Sequence, residues 1–180
     1  FHQLLHNNIA VKLNAVVMDG RNTEDILPMV ALTEKMPVSV RFIEEMPFNG
    51  TGELHPLTWS HLRILETIQS SHPSIAKVPD PAGATAAHYA IPGHMGNVGI
   101  IAAYSRSFCG TCNRIRITPQ GMLKTCLYDN GVFSVRDLLR AGANDNEILA
   151  HIQDAITHRA ANGFEAERKN VHESMASIGG

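Results

Sequence analysis

Residues 107–128 read SFCGTCNRIRITPQGMLKTCLY. This stretch holds all three cysteines of the chain in the pattern C-x2-C-x13-C, with Arg114 and Arg116 between the second and third. Thiolates are soft ligands suited to zinc or to the iron of an iron–sulfur cluster. A two-residue gap lets a tight turn aim two sulfurs at one centre, and the third has to return from elsewhere. Residues 113–118 alternate polar and apolar, as do those after Pro119-Gln120-Gly121, so the stretch reads as a β-hairpin. Period-2 alternation puts Arg114 and Arg116 on one face, with Ile115 and Ile117 on the other. If Thr118 faces Met122, Cys126 lies opposite Arg114, at the roughly 5 Å typical of directly opposed side chains. A bulge at Gly121 would shift that register by one. Without the shift, three sulfurs and two guanidinium groups converge on one surface.

Spacing alone leaves the chemistry open between a structural zinc site, an iron–sulfur site and a redox dithiol. Structural zinc takes four ligands as a rule, and there are three cysteines. A histidine would have to complete that set; His88 and His94 lie nearest upstream. The arginines favour the cluster. A zinc knuckle has no need of two fixed cations beside it, whereas an anionic ligand at an open cluster iron does. The competing account of Arg114 and Arg116 is a solvated R-x-R face.

The chain has 180 residues, enough for one domain with a real core or for part of a larger one. It opens FHQLLHNN, and no charged-then-apolar leader follows. No apolar run approaches the roughly 20 residues of a membrane span. Fifteen basic against seventeen acidic residues leave a formal charge of −2, which argues against a nucleic-acid or membrane surface. An odd number of cysteines argues against a disulfide framework and suits a reducing, cytoplasmic setting.

Residues 9–18 (IAVKLNAVVM) and 38–44 (VSVRFIE) read as strands flanking a helix, a βαβ unit of a parallel sheet. Val11, Leu13, Ala15 and Val17 share one face of the first strand, and Val40 and Phe42 one face of the second. Lys12, Asn14 and Arg41 then point together to the other side, which in an α/β barrel is the interior. The alternatives are a half-exposed edge strand and a salt-bridged structural arginine. Asn22 or Thr23 is expected to cap the intervening helix, which carries Ile26, Met29, Val30 and Thr33 on one face. Thr58 is expected to cap a second helix running to about Ser70, with Leu62, Ile64, Leu65 and Ile68 on its apolar face. Residues 86–91 and 98–102 read as short strands forming a small antiparallel sheet with the cysteine hairpin. Ser134 and Asp137, then Asn144 or Asp145, start two further helices, the second with Ile148, Leu149, Ile152 and Ile156 on one face and Gly163 as its stop.

FCGTCNRIRITPQGMLKTCLY, together with VKLNAVVMDGRNTEDI, VRFIEEMP and the terminal Gly179-Gly180, closely resembles the C-terminal half of the GTP 3′,8-cyclases of molybdenum cofactor biosynthesis. These are radical S-adenosylmethionine (SAM) enzymes. The family's N-terminal C-x3-C-x2-C, which holds the SAM-cleaving cluster, is absent from these residues. The resemblance implies an α/β fold: the C-terminal part of an incomplete, TIM-like radical-SAM barrel over 1–72, and a small α+β iron–sulfur and GTP-binding domain over 73–180. It implies that Cys109, Cys112 and Cys126 hold a [4Fe–4S] cluster with one iron free for the guanine. Lys12, Arg41, Arg114, Ile115 and Arg116 would contact GTP, and Met46 would border SAM, with an ordinary loop methionine as the alternative. The complete enzyme would use a second cluster to cleave SAM, abstract the 3′ hydrogen of GTP and join the ribose to C8. The SAM-cleaving N-terminal portion and the next enzyme of the pathway, cyclic pyranopterin monophosphate synthase, are the implied partners. This chain alone would be inactive, and no catalytic acid or base is assigned. The Gly-Gly tail would reach the active site rather than hang as a loose end. The reading from another class is a zinc-stabilised binding module with no chemistry.

Overall fold

Two runs of alternating apolar residues form the first strands, β1 (Val11–Val17) and β2 (Val38–Glu44), paired in parallel with Val11 opposite Val38. The structure is a computed structural model in which residues 1–46 and 56–167 are described. The described residues divide into a first unit, Phe1–Met46 with Pro56–Phe108, and a second beginning at Cys109. A short helix, α1 (His2–His6), precedes β1. Helix α2 (Ile26–Lys35) joins β1 to β2, and α3 (His61–Ser71) follows β2; the two helices pack on each other and on β2.

The sheet face beneath these helices carries the residues expected from alternation. Val40, Phe42, Val98 and Ile100 interlock there with Ile26, Val30, Ile64 and Ile68, all of them buried. Burying each such side chain contributes about 1.5–3 kcal/mol. Leu62 is a correction: it is 58 % exposed, because two helical steps from Ile64 turn it about 200° away from the core. Capping also differs. The Asn22 amide closes the loop back onto β1, its Oδ1 accepting from Met18 N and its Nδ2 donating to Val16 O, so it does not cap α2. Ser60, not Thr58, caps α3.

The strands β3 (Ala76–Lys77), β4 (Ala87–Ala90) and β5 (Asn97–Ile101) complete a mixed five-stranded sheet of order β1-β2-β5-β4-β3. β5 is parallel to β2 and antiparallel to β4. The expected association of these strands with the cysteine hairpin is therefore corrected. NVGII buries three consecutive residues, as a strand covered on both faces does, and its partner was set by long-range packing rather than by a turn. The first unit accordingly continues past residue 72, where a boundary was expected, to Phe108.

Glu44 ends β2 on the helix side and is fully buried. Its carboxylate accepts from His61 N (2.7 Å) and Nδ1 (2.8 Å), and from Ser105 N (2.7 Å) and Oγ (2.8 Å). It thus ties the sheet to the start of α3 and to the segment leaving β5. Burial pushes its pKa up, but the Ser105 and His61 donors outweigh that and hold it below the ordinary 4.5. A depressed folded-state pKa means that the unfolded chain binds the proton more readily. Glu44's contribution is then complete above the unfolded-state value and disappears as pH falls through the folded-state value. Glu44→Ala, which strands these donors, is expected to cost about 3 kcal/mol or more. Glu44→Gln should lose less and flatten the acid side of the stability profile. Urea melts at neutral and acid pH check this; an unchanged pH dependence in E44Q would refute it.

The second unit is built on the hairpin of β6 (Arg116–Ile117) and β7 (Met122–Lys124), with β8 (Phe133–Ser134) on its other edge. Thr118 N donates to Met122 O (2.9 Å) and Gly121 N to Thr118 O (2.8 Å), so the unshifted register holds. Gly121 sits at φ +84°, and a Cβ there would stand 2.4 Å from the Cβ of Arg136 in α4 (Val135–Arg140). Both its backbone conformation and the close helix require glycine. Ser134 caps α4, and Asn144 with Glu147 forms a capping box on α5 (Asp145–Thr157). Of the face expected on α5, Ile148 and Ile152 are half-buried while Leu149 and Ile156 are exposed; Ala155 takes the buried position. Gly163 opens α6 (Gly163–Glu167) rather than stopping α5. The Gly179-Gly180 tail lies outside the described residues. Among the described residues, no helix is long and apolar enough to cross a membrane.

Candidate functional site

Cys109 opens a single 3-10 turn, Cys109–Thr111, and Cys112 N closes it onto Cys109 O (3.2 Å). That turn is what the two-residue gap encodes. Cys126 stands two residues beyond the end of β7. All three thiols are unbridged and half-buried. They feel one another: burial raises the Cys126 pKa first, and Asp129, Cys109 and Cys112 raise it further against the Tyr128 N–H. Burial also pushes Cys112 up, but the Arg114 backbone and guanidinium and the Arg159 guanidinium outweigh it and leave that thiol lowered. Arg116 is lowered by burial and by Arg114, against the pull of Cys112, Cys126 and Asp129. Three sulfurs and two arginines thus form one electrostatic group.

The hairpin faces are inverted relative to an ordinary amphipathic hairpin. Arg114 and Arg116 are half-buried on the sulfur side, while Ile115 and Ile117 are 43 % and 56 % exposed on the other. Ile115 can therefore reach a ligand on the sulfur side only through its backbone. Lys124, paired directly across from Arg116, is 1 % exposed. It belongs to the same face, and the alternation read from the arginines would have found it.

Two further residues shape the group. The Asp129 carboxylate accepts from Thr125 N (2.9 Å), Thr125 Oγ1 (3.0 Å), Cys126 N (2.7 Å) and Gly131 N (2.9 Å), ending β7 and fixing the Cys126 turn. Its signal was the Asp-Asn-Gly turn, legible only as a turn. Arg159, just beyond α5, donates to Cys112 O at 2.7 Å. Nothing local in the sequence marks a partner 47 residues away.

On the first unit, the strand faces opposite the helices carry Lys12, Asn14 and Arg41 as expected. Lys12 and Asn14 are exposed on β1, which lies at an edge of the sheet, and Arg41 stands opposite Asn14 in the parallel register. Met46 is half-buried just past the carboxyl end of β2. The two histidines weighed as a fourth zinc ligand are engaged within this unit. His88 meets Asp80 and Arg41, and the Nδ1 of His94 meets Thr33 Oγ1 at 2.8 Å.

Residues 38–164 match the family described as Molybdenum Cofactor Synthesis C. The chain belongs to this family. The Molybdenum Cofactor Synthesis C match takes in β2, the cysteine hairpin and the helices through the start of α6, and leaves Lys12 outside it. Relatives extend further. The chain is 42 % identical over 168 residues to molybdenum cofactor biosynthesis protein 1 of Homo sapiens, covering 93 % of this chain and 25 % of that protein. It is 35 % identical to the mitochondrial GTP 3′,8-cyclase of Arabidopsis thaliana, covering 94 % and 44 % respectively. It is 31 % identical to the GTP 3′,8-cyclase of Chlorobaculum tepidum, covering 96 % and 52 %. The chain therefore spans a quarter to about half of these relatives.

Among the described residues, no three His, Cys, Asp or Glu side chains converge as they would on a single metal ion. A cluster, however, presents a separate iron to each sulfur, so its ligands need not meet at one point. Three unbridged, half-buried thiols, with Cys112 beside the Arg114 and Arg159 guanidinium groups, are soft donors of the kind cluster iron takes.

Proposed function

We propose that this chain is the cluster- and GTP-binding portion of a GTP 3′,8-cyclase, the enzyme that cyclises GTP in the first step of molybdenum cofactor biosynthesis. The observation that carries the reading is the electrostatic group of Cys109, Cys112 and Cys126 with Arg114 and Arg116, in a chain of the Molybdenum Cofactor Synthesis C family. Relatives named GTP 3′,8-cyclase support the substrate. Cys109, Cys112 and Cys126 would hold a [4Fe–4S] cluster, which when bound would supply an iron open to the guanine. Arg114, Arg116, Lys12 and Arg41 neutralise and orient the nucleotide, and Ile115 contributes backbone. Fixed cations beside a polyanion act by positioning and electrostatic preorganisation. The sheet carrying β1, β2 and β5 is part of a radical-SAM barrel, with Met46 bordering SAM at its carboxyl end. SAM cleavage requires a second cluster, for which these 180 residues hold no further cysteines. We place the protein in the cytoplasm, where thiols stay reduced, and its product goes to the synthase that makes cyclic pyranopterin monophosphate.

A zinc-stabilised module is the second reading. The engagement of His88 and His94 with other partners weighs against either of them closing a zinc site.

Anaerobic reconstitution with iron and sulfide is the test. It should give close to four irons and four sulfides per chain, with a broad absorption near ~400 nm. The same preparation, given SAM, GTP and a strong reductant, should form neither 5′-deoxyadenosine nor cyclised nucleotide. Stoichiometric zinc that iron does not replace would sink the proposal.

A further inference from the structure

Arg41 does not stand alone on the open face of the sheet. Its parallel register places it opposite Gly99 of β5, which in turn stands opposite His88 of β4. The arginine crosses that glycine: a Cβ on Gly99 would lie 3.1 Å from Arg41 Cγ and 3.3 Å from Ala86 Cβ. Beyond it, Arg41 Nη2 reaches His88 Nε2 at 3.4 Å. Arg41 Nε is buried and, among the described residues, has no hydrogen-bond partner. An alanine in place of Gly99 would thus crowd the stem of this side chain, and the histidine supplies its distal contact.

The histidine is itself fixed. Its backbone N donates to Asp80 Oδ1 at 2.8 Å, and its Nδ1 meets the same oxygen at 3.0 Å. Lys77 Nζ holds the other oxygen, Oδ2, at 2.6 Å. Burial pushes Asp80 up, but the Lys77 and His88 donors together outweigh it and hold it down to about 2, so it is a carboxylate. A guanidinium has no acceptor, so the nitrogen facing Arg41 must offer a lone pair. The proton then sits on Nδ1, where the carboxylate receives it. This chain Lys77–Asp80–His88–Arg41 orients an imidazole so that a basic nitrogen draws the guanidinium across the sheet.

We infer that His88 is a positioning residue that, with Asp80 behind it and Gly99 beneath, sets the direction in which Arg41 presents its guanidinium to the nucleotide. The inference rests on the reading that Arg41 contacts GTP. Arginine retains several donors beyond the one that meets His88, and a planar fork works only when its orientation is set.

The experiment measures GTP affinity in the complete, anaerobically reconstituted protein for Arg41→Ala, His88→Phe, His88→Gln and the double variant R41A/H88F. Iron content and melting temperature are measured beside it. Phenylalanine keeps the ring shape without the acceptor, whereas the glutamine carbonyl can stand in for Nε2. H88F is expected to lose about tenfold in affinity, the loss typical of one displaced charge-assisted contact. H88Q should stay within about threefold of wild type, and adding H88F to R41A should change nothing further. If R41A weakens binding while H88F does not, or if the two losses multiply in the double variant, the positioning role is overturned and the GTP assignment stands. If R41A binds GTP as wild type does, the assignment of Arg41 to the nucleotide is wrong, and the inference falls with it.

Discussion

Cys126→Ala in the complete protein is expected to remove one whole cluster, a loss of about four irons per chain, and to abolish cyclisation of GTP. In the proposed ligand set, Cys126 is the one that has to come back from the far arm of the hairpin. Its position depends on the β6–β7 register and on the Asp129 carboxylate that accepts its N–H. Cys109 and Cys112 share one short turn and cannot by themselves close a three-thiolate site. Iron and sulfide analysis after anaerobic reconstitution, beside the absorption near ~400 nm, reads the outcome. Retention of the full iron content in C126A would remove this cysteine from the ligand set. Loss of zinc in place of iron would favour the non-catalytic module.

The second large effect concerns the arginines. Arg114→Ala or Arg116→Ala should weaken GTP binding or cyclisation by at least about tenfold, since a charge-assisted contact contributes about 1.5–3 kcal/mol. Cluster content and melting temperature should stay near wild type. Lysine at either position should rescue only partly, because it keeps the charge and loses the planar fork. The structure makes the two variants unequal as controls. Arg114 lowers the Cys112 thiol through its backbone N–H as well as its guanidinium, and the backbone part survives substitution. A fall in binding that tracks loss of iron in both variants would show the arginines to be structural.

How much of this was legible depends on the range of the interaction. The alternation of VKLNAVV and VSVRFIE places Lys12, Asn14 and Arg41 on one side of the sheet and Val40 and Phe42 beneath the helices, because side-chain direction in a strand has period two. The same rule separates Arg114 and Arg116 from Ile115 and Ile117, and the Thr118–Met122 register follows from a turn of fixed length. Burial, however, runs opposite to hydropathy there: the arginines are sheltered and the isoleucines exposed. Hydropathy patterning assumes that apolar faces go inward, and this hairpin, with its arginines sheltered beside the thiols, breaks that assumption.

The sequence by itself determined the cysteine spacing, the two arginines between, and the faces of β1, β2 and the hairpin, all set within a few residues by backbone periodicity and turn length. Tertiary structure alone decided that β5 lies beside β2 and leaves the hairpin, that Gly99 clears a path for Arg41 to His88, that Glu44 is buried against Ser105, and that Arg159 reaches the Cys112 carbonyl. Glu44 and Ser105 are 61 residues apart, Arg41 and His88 47, and Cys112 and Arg159 47. Such contacts have no local period to announce them. They form because most buried donors and acceptors find a partner once the strands have chosen theirs.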